Sequence, residues 1–426
     1  MSTARPPSPS IQLLPHDREV LRRLAEATAA VAALPVHREK ARRWGLMNDL
    51  RSERPMVWVT EIPWHELLED NEELMVRCRA PWARSVELEM RRQLYQWRHL
   101  PVDMIISDYV PCPIAWTSTG FGLKQEGDLL PITGGAGISS QHFDQQISSM
   151  EDLRKIEDPV VTVDRADTAA RLAAMTAAFG DIIPVREKGR DNYWFTPWDN
   201  LVRWYGVQEA LLDLIEKPEV IHGAIARLVE CYLKELDQMV ALNLLALNNN
   251  NCRIGSGAYG YTSELPRPGF DPSHPTPEHL WGCSNAQIFT EVSPQMHWEF
   301  ALEHDLPWLA RWGLVYYGCC EVLDTKMDLL RRVPNLRKVS MNYRIQVDRA
   351  AAAVGGDYVF SYKPNPACFA TDDWNLGNAR DELRHMLDCT RGGHVEIVLK
   401  DISTVARKPE RLWEWAAMAM ELVGGA

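Results

Sequence analysis

Four β-rich segments decide the fold of this chain: GLVYYG (residues 313–318), LRKVSMN (residues 336–342), DYVFSYK (residues 357–363) and HVEIVLK (residues 394–400). Helical stretches separate or follow them, near residues 323–332, 346–353, 376–389 and 408–423. This alternation requires a parallel sheet with right-handed crossovers, either open and doubly wound or closed into a barrel. No GxGxxG or GxxxxGKS/T motif follows a strand, which removes support from the usual nucleotide-binding open sheets. We therefore predict an α/β fold built as a single (β/α)8 TIM barrel.

The N-terminal part of the chain predicts an extension followed by the start of the barrel. Over the first fifty residues or so, apolar side chains recur with a period near 3.6, which is typical of helix. The segments MVWVTEI (residues 56–62) and VDMIIS (residues 102–107) flank a charged helical stretch and predict a strand, a helix and a strand. We divide the chain into an N-terminal helical extension, residues 1–53, and the barrel, residues 54–426.

Composition limits the partners and the compartment. The formal net charge is -12, with 58 acidic against 46 basic residues, which argues against nucleic acid because binding to phosphates requires clustered Lys and Arg. No apolar run reaches the roughly 18 to 20 residues that span a bilayer, and Met1–Ser10 is polar, so we expect a cytoplasmic protein without a membrane partner. Nine scattered cysteines are not a disulfide framework.

Polar side chains follow each of the four C-terminal strands. They are Cys319, Cys320 and Glu321 after the first, Asn342 after the second, Lys363, Asn365 and Cys368 after the third, and Lys400 and Asp401 after the fourth. Strand ends are exposed in any fold, which explains some of this polarity. In a (β/α)8 barrel, however, the carboxyl ends of the strands form the active site. We therefore predict catalytic roles for Lys363, Asp401 and Asn342.

Each of these groups has a second interpretation. A thiolate with a carboxylate is a zinc-ligand set, so one of Cys319 and Cys320 is a predicted ligand, although a buried structural pair is an equal alternative. Lys363, in the sequence KPNP, either binds an anionic substrate group or is a solvated lysine in a stiff loop. Lys400 and Asp401 are strand neighbours that should point to opposite faces, so only one should reach the site, and we favour Asp401.

Three loops supply further candidates. In EKGRDNYWFTPWDNLVRW (residues 187–204), we predict substrate binding by Arg190, Tyr193, Trp198 and Asp199, with Asp199 as a helix N-cap the alternative. The Gly-rich segment GSGAYGYT (residues 255–262) predicts a flexible loop that faces the substrate. Residues 111–146 predict an irregular excursion over one face, a candidate lid. Asn365, held between two prolines, is a further predicted substrate-binding residue.

The stretch AQIFTEVSPQMHWEFALEHDLPWLARWGLVYYGCCE (residues 286–321) resembles the uroporphyrinogen decarboxylase superfamily. The shared order is an acid at a strand end, Ser-Pro, a helix with Glu-Phe, and a strand that carries a cysteine. It is matched by Glu291, Ser293, Pro294, Glu299, Phe300 and Cys319 or Cys320. The resemblance extends from about residue 54 to the end of the chain and implies a (β/α)8 barrel.

The superfamily's two branches imply different chemistry. True decarboxylases carry an Arg-rich signature of the type MRQAGRY, and the matching segment here, RPMVWVTEIPWHELLE (residues 54–69), lacks it. Glu61 and Glu66 in that segment would repel a porphyrinogen's carboxylates. The cobalamin-dependent methyltransferases bind zinc through a His-x-Cys strand end and a later cysteine. This chain departs from that pattern too, because Tyr317 stands in place of the His and the last strand ends in Lys400.

The methyltransferase branch is nevertheless the closer one, and it implies a metal site with other ligands. These would be Glu291, one of Cys319 and Cys320, and Cys368 or His297. The leading hypothesis is a metal-dependent methyltransferase or demethylase that moves a methyl group from a small methoxylated or methylated substrate to a corrinoid. No DxHxxG signature is present, so the corrinoid is expected on a separate protein.

Two alternatives remain open. One is a metal-free decarboxylase or lyase on the same barrel, in which Lys363, Glu291 and Asp401 carry out acid-base work and the cysteines are structural. The other is a catalytically idle barrel that serves as a binding subunit. The enzyme hypotheses imply a small-molecule substrate as the partner, and a homodimer is a further expectation because barrels of this kind commonly pair.

Overall fold

The structure is a computed structural model that describes residues 11–68, 71–127, 129–130 and 140–424. Its strands, in chain order, are β1 (Met56–Val59), β2 (Val110–Pro113), β3 (Trp116–Ser118), β4 (Leu129–Leu130), β5 (Ser140–Gln141), β6 (Val161–Val163), β7 (Val185–Lys188), β8 (Trp281–Ser284), β9 (Leu314–Tyr317), β10 (Leu336–Asn342), β11 (Val359–Lys363) and β12 (His394–Leu399). None of the described helices is both long enough and apolar enough to cross a membrane.

The α-helices, in chain order, are α1 (Pro15–Ala32), α2 (Val36–Asn48), α3 (Trp64–Leu67), α4 (Pro81–His99), α5 (Arg165–Phe179), α6 (Pro197–Tyr205), α7 (Val207–Glu216), α8 (Pro218–Ala241), α9 (Pro294–His297), α10 (Glu303–Leu309), α11 (Met327–Leu330), α12 (Val347–Val354), α13 (Leu376–Cys389) and α14 (Glu410–Gly424). A π-helical turn, Trp298–Leu302, joins α9 to α10. Short 3-10 helices cover Met150–Lys155, Pro277–His279, Gln287–Thr290 and Pro366–Ala370.

A central parallel sheet of six strands organises this mixed α/β fold. Its order is β1-β12-β11-β10-β9-β8, so successive strands of the C-terminal half lie side by side and the first strand of the chain lies beside the last. Helices lie between successive strands, as parallel connections require. The four β-rich segments are thereby confirmed as β9 to β12, and the helices predicted between and after them are confirmed as α11 to α14.

The strand predicted at residues 102–107 does not form. This segment runs beside β1, and the Asp103 backbone N–H donates to the Val57 carbonyl at 2.9 Å. The Asp103 carboxylate, however, accepts the Val57 backbone N–H at 2.9 Å and also binds Arg54 at 2.6 Å. A side chain therefore takes a hydrogen bond that a backbone carbonyl would accept in a regular ladder, and no strand is formed.

The N-terminal extension is helical as predicted, and it packs on the rest of the protein. The Asp17 carboxylate of α1 accepts the backbone N–H groups of Arg79 and Ala80 at 2.8 and 2.9 Å, where α4 begins. In α2, the Asn48 amide donates to the Tyr259 and Tyr261 carbonyls at 2.8 and 2.7 Å. Residues 1–10 of the extension lie outside the described residues.

The predicted excursion at residues 111–146 contains short strands. In it β2 pairs in parallel with β7, and β3 pairs antiparallel with β6. Pairing with distant partners explains why the local sequence gave no regular period. Residue 128 and residues 131–139 of this excursion lie outside the described residues.

The Gly-rich segment predicted as a flexible loop is buried instead. Its residues 255–260 are all buried. The Ser256 hydroxyl lies 3.1 Å from the Tyr316 hydroxyl and donates to the Gly318 carbonyl at 3.2 Å. Glycine allows this close approach, since a Cβ at Gly257 would lie 2.5 Å from Tyr316 Cε2 and 2.6 Å from Glu396 Oε1.

We expect Gly257→Ala to lower the free energy of unfolding by about 1–3 kcal/mol, because the added methyl group overpacks a buried contact. Urea unfolding measures the change. Gly356→Ala is the matched control, since a Cβ at that exposed turn meets nothing within 4 Å and should change stability by less than about 0.5 kcal/mol. Equal effects of the two substitutions would contradict close packing at Gly257.

Candidate functional site

A pocket of about 250 Å³ lies at the carboxyl ends of β9 to β12. Its lining residues are Cys319, Cys320, Asn342, Tyr343, Arg344, Lys363, Pro364, Pro366, Lys400 and Asp401. The predicted catalytic residues Lys363, Asp401 and Asn342 are therefore together with both cysteines at one pocket. This clustering follows from the parallel sheet, because parallel strands bring all their carboxyl ends to the same edge.

Basic side chains outnumber acidic ones in the pocket wall. Lys363, Lys400 and Arg344 line it, against the single carboxylate of Asp401. Lys400 Nζ lies 2.5 Å from Asp401 Oδ2 and 3.6 Å from Glu61 Oε2. Burial alone would lower the pKa of Lys400, but the Cys319 thiol and these two carboxylates hold it above its ordinary value, so the ammonium is charged. The pocket is thus suited to an anionic ligand.

Lys363, at the end of β11, is the buried amine of the site. Its Nζ donates to the Ser361 hydroxyl at 2.6 Å, to the Ser361 carbonyl at 3.0 Å and to the Tyr316 hydroxyl. Burial lowers the pKa of Lys363 to about 7, opposed by the Glu396 carboxylate and assisted by the charge of Lys400. Near neutral pH the amine is present in both charged and neutral forms, which suits a group that gives and takes protons.

A buried polar network continues beneath Lys363 into the sheet. The Ser361 hydroxyl donates to Glu396 Oε1 at 2.5 Å, and Lys338 Nζ binds Glu396 Oε2 at 2.9 Å. Burial would raise the pKa of Glu396, but the charges of Lys338 and Lys363 hold it below its ordinary value. The carboxylate is therefore ionised, and it connects Lys363 to a second buried lysine through Ser361.

The adjacent cysteines contact each other at the pocket wall. Cys319 Sγ and Cys320 Sγ are 3.6 Å apart. A hydrogen bond from the Cys319 thiol, assisted by the charge of Lys400, lowers the pKa of Cys320, whereas that bond and burial raise the pKa of Cys319. Cys320 is thus the more reactive thiol, and Cys319 is its buried donor.

We expect Cys320 to be alkylated by iodoacetamide at neutral pH before any other described cysteine, because the thiolate is the reacting form. Cys319→Ala removes the donor and should slow the reaction at Cys320. Peptide mass spectrometry over a pH series measures the rates. Cys389, whose pKa is raised by partial burial, is an internal control. A Cys320 rate no faster than that of Cys389 would contradict the lowered pKa of Cys320.

Backbone hydrogen bonds fix the loop that carries these thiols. Glu321 Oε1 accepts the Ala286 N–H at 2.5 Å and Oε2 accepts the Cys319 N–H at 2.6 Å. The Ser340 hydroxyl donates to the Cys319 carbonyl at 2.7 Å, and the Asn342 amide donates to the Cys320 carbonyl. Glu321 and Asn342 therefore hold the loop, and Asn342 also lines the pocket.

The prediction that only one of Lys400 and Asp401 reaches the site is wrong. Both line the pocket, and their side chains are in contact. The alternation of faces ends because β12 stops at Leu399 and Asp401 adopts a left-handed backbone with φ 57°. This turn brings two successive side chains to the same cavity.

The predicted metal ligands Glu291, Cys319, Cys320 and Cys368 are not assembled as one site. No group of three or more His, Cys, Asp or Glu side chains in the described residues is arranged to hold a metal ion. Cys320 Sγ lies 3.9 Å from Asp401 Oδ2, but Lys400 Nζ lies 3.8 Å from Cys319 Sγ and 2.5 Å from that carboxylate oxygen. An ammonium thus occupies the contact that a zinc ion would need, and these residues do not fit zinc.

The other two proposed ligands do not line the pocket. Glu291 is exposed after the 3-10 helix Gln287–Thr290. Cys368 Sγ donates to the Asn365 carbonyl at 3.2 Å. Asn365 itself, predicted to bind substrate, accepts the Ala367 N–H at 3.0 Å and so caps the 3-10 helix that follows.

The residues at positions 190–199 that were predicted to bind substrate make packing contacts. The Arg190 guanidinium lies over the rings of Trp116 and Tyr193, at 5.2 and 5.7 Å. Tyr193 and Trp198 are buried, and the Trp198 indole N–H donates to the Phe300 carbonyl at 2.8 Å. None of these side chains lines the pocket at the strand ends.

Asp199 is not the N-cap of α6, and it does not line the pocket at the strand ends. The N-cap position of α6 is Thr196, so Asp199 lies within the first turn. Its carboxylate accepts the Gln287 amide at 3.0 Å, and burial raises its pKa. The local composition resembled a pocket because aromatic and charged residues also occur together where a loop packs onto a core.

His297, the weakest of the ligand candidates, is a buried structural residue. Its Nε2 lies 2.7 Å from the Tyr317 hydroxyl, and its Nδ1 lies 3.1 Å from Lys326 Nζ. Burial, assisted by the Lys326 charge, lowers the pKa of His297 from 6.5 to about 3. The imidazole is therefore neutral in the folded protein at all but strongly acidic pH.

This pKa predicts acid sensitivity that depends on His297. Between pH 6.5 and about 3 the unfolded chain holds a proton on His297 that the folded protein lacks, so stability falls as the pH falls through this window. The loss is about 1.4 kcal/mol per pH unit, or about 2 kcal/mol at pH 5. Urea unfolding at pH 7.5 and pH 5 should show this extra loss in the wild type and not in His297→Gln. Parallel losses in both proteins would contradict it.

Sequence reasoning missed several residues of the site. Arg344 and Tyr343 line the pocket just after β10, and Lys338, Ser361 and Glu396 form the network below it. The available signal was a charged residue inside a strand: Glu396 between apolar neighbours in HVEIVLK, and Lys338 before Val339 in LRKVSMN. Such a residue must face a partner within the fold, because a lone buried charge is costly.

No protein-family model matches this chain, and a search of curated proteins also finds no match. The fold and the site alone therefore define the class: an α/β protein whose parallel strands end in a cationic pocket that contains a buried lysine and a pair of thiols.

Proposed function

We propose that this protein is a metal-free carbon–carbon lyase or decarboxylase that acts on a small anionic compound in the pocket at the strand ends. The single observation that carries the proposal is Lys363, a buried amine that lines this pocket and has a pKa lowered to about 7 by burial. A general acid or base works best when its pKa lies near the working pH.

The neighbouring residues have roles that suit this chemistry. Arg344 and Lys400 supply positive charge that attracts a carboxylate substrate. The Tyr316 hydroxyl, in contact with Lys363 Nζ, can pass a proton to or from the amine. Ser361 links the amine to the ionised Glu396, which balances its positive charge when it is protonated. Asp401 holds Lys400 in place through their 2.5 Å contact.

We also propose that the sheet is closed into a (β/α)8 barrel. The first strand, β1, lies beside the last, β12, which is the arrangement at a barrel's closing seam. On the other side, Asp103 N donates to Val57 O of β1, and the Asn251 amide donates to the Ile105 carbonyl at 3.3 Å. Asn248 exchanges two hydrogen bonds with Trp281 of β8, at 2.9 Å each. These contacts support a closed sheet in which residues 103–107 and 244–251 lie between β1 and β8.

The test is a substrate screen with the full chain. Small hydroxy, oxo and dicarboxylic acids are incubated with the protein, and carbon–carbon cleavage or CO2 release is followed by 13C NMR. The screen is repeated after treatment with EDTA and 1,10-phenanthroline, with metal content measured by elemental analysis. We expect turnover of at least one acid that survives chelation. Absence of turnover for all acids, or turnover lost on chelation and restored by zinc, overturns the proposal.

A further inference from the structure

Lys363 has the properties of an amine that reacts with a carbonyl group. Imine formation needs an uncharged amine, and a lysine becomes uncharged near neutral pH when it is buried or lies beside other cations. Both conditions hold at Lys363: its side chain is buried, and Lys400 and Arg344 line the same pocket. Its contact with Tyr316 supplies a hydroxyl that can donate a proton to the carbonyl oxygen as water leaves.

We propose that Lys363 forms a Schiff base with the substrate, and that the substrate is a 3-oxo carboxylic acid with a second anionic group. This inference rests on the proposed function and names the substrate class of that site. The geometry limits the class in two ways: the amine selects a carbonyl compound, and the basic side chains of Lys400 and Arg344 beside it favour a compound with an anionic group in addition to the carboxylate that leaves.

The reaction needs no oxidant, reductant or further cofactor. The Lys363 amine adds to the carbonyl carbon, and the carbonyl oxygen leaves as water after taking one proton from the amine and one from the Tyr316 hydroxyl, which solvent reprotonates. A protonated C=N bond thus replaces the C=O bond. The protonated imine then accepts the electron pair of the C–C bond to the carboxylate, which leaves as CO2. The resulting enamine takes a proton at carbon, and water hydrolyses the imine to release the product ketone and the free amine. Only a carboxylate on the carbon next to the carbonyl carbon can leave in this way, which is why the acid is a 3-oxo acid.

The hydrogen bonds around Lys363 are consistent with this chemistry. A neutral amine has two hydrogens, and the Ser361 hydroxyl and carbonyl accept both, at 2.6 and 3.0 Å. The third neighbour, the Tyr316 hydroxyl, is left to exchange a proton with the amine or with its substrate. Burial raises the pKa of Tyr316, so the hydroxyl stays protonated and acts as a donor. Ser256, 3.1 Å from the Tyr316 oxygen, holds the ring in place.

Arg344 and Lys400 bind the second anionic group of the substrate. The carboxylate that leaves then lies beside the imine. A compound with one carboxylate lacks the anchor. We therefore expect 3-oxopentanedioate to bind and react better than acetoacetate, by about tenfold or more in kcat/KM, which is the value of one charge-assisted hydrogen bond.

Borohydride trapping tests the proposal with 3-oxopentanedioate as the probe. The full chain is incubated with the probe, sodium borohydride is added, and digested peptides are analysed by mass spectrometry. We expect one reduced adduct, on Lys363, that is absent from Lys363→Arg and present in Lys408→Arg, a matched change at an exposed lysine. Acetoacetate should give less of the same adduct. Calorimetry with the unreduced probe measures binding independently of trapping.

The outcomes separate this inference from the function on which it rests. An adduct on Lys363 alone supports it. Binding of the probe, or turnover of any acid in the screen, without a Lys363 adduct overturns the Schiff base and leaves the acid-base lyase in place. Equal labelling of Lys408 and Lys363, or an adduct that persists at another lysine in Lys363→Arg, overturns it as well. Failure of every acid to bind or react overturns both proposals.

Discussion

Lys363→Met is expected to lower turnover of the pocket's substrate by about 10²–10⁴-fold, the usual contribution of a positioned acid or base. Methionine has a similar length and no titratable group, so it fills the space of the lysine stem and cannot move a proton. In the wild type, kcat/KM should rise with pH through about 7 and then level off, because the Lys363 amine reacts only when it is neutral. The pH profile of the variant should lack this rise in kcat/KM.

The same substitution should not destabilise the protein. Between pH 7 and 10.5 the unfolded chain holds a proton on Lys363 that the folded protein lacks, so the wild-type free energy of unfolding rises with pH in this window, by about 1.4 kcal/mol per unit from this residue. Lys363→Met removes that slope and the cost of a buried amine. Urea unfolding and steady-state kinetics on the same samples, with Lys408→Met as control, distinguish lost chemistry from lost folding. Retained turnover in Lys363→Met would contradict the assignment.

The residues that sequence reasoning placed correctly share one property: they end a regular strand. The end of β11 at Lys363 and that of β10 at Asn342 follow from hydrophobic pattern alone, and the parallel sheet brings such ends together. Asp401 illustrates the limit of this reasoning. Its left-handed backbone ends the alternation of faces, and nothing in its sequence indicates such a turn, because Asp adopts that conformation only where its surroundings require it.

Residues in loops were harder to place, for a different physical reason. Arg190 and Trp198 are found in a segment with the composition of a binding pocket, but their partners, Trp116 and the Phe300 carbonyl, lie far away in sequence. Tertiary contacts of this kind leave no local signature. The Gly-rich segment around Gly257 was predicted to be a flexible loop, but its glycines allow close approach to neighbouring side chains. Glycine can indicate either property, and the sequence alone does not distinguish them.

Lys338→Met is expected to lower the free energy of unfolding by about 3–5 kcal/mol, because removal of one partner leaves the other charge buried and unpaired. Lys338 and Glu396 side chains are fully buried, with Nζ 2.9 Å from Oε2. The unpaired Glu396 carboxylate would then act on Lys363 alone and raise the pKa of that amine. The acid limb of the activity profile should therefore move to higher pH in the surviving folded fraction.

The double variant Lys338→Met/Glu396→Leu separates the cost of an unpaired charge from the loss of a favourable contact. A buried ion pair replaced by apolar side chains of similar volume is often neutral in stability, so the double variant should recover much of the loss. Glu396 also accepts the Ser361 hydroxyl, however, and the double variant leaves that group and Lys363 without an anion. Recovered stability together with lost activity would assign the pair to the chemistry of Lys363. A loss below about 1 kcal/mol in Lys338→Met would instead show that Glu396 is protonated in the folded protein, and Lys363 would then titrate without the influence of a neighbouring carboxylate.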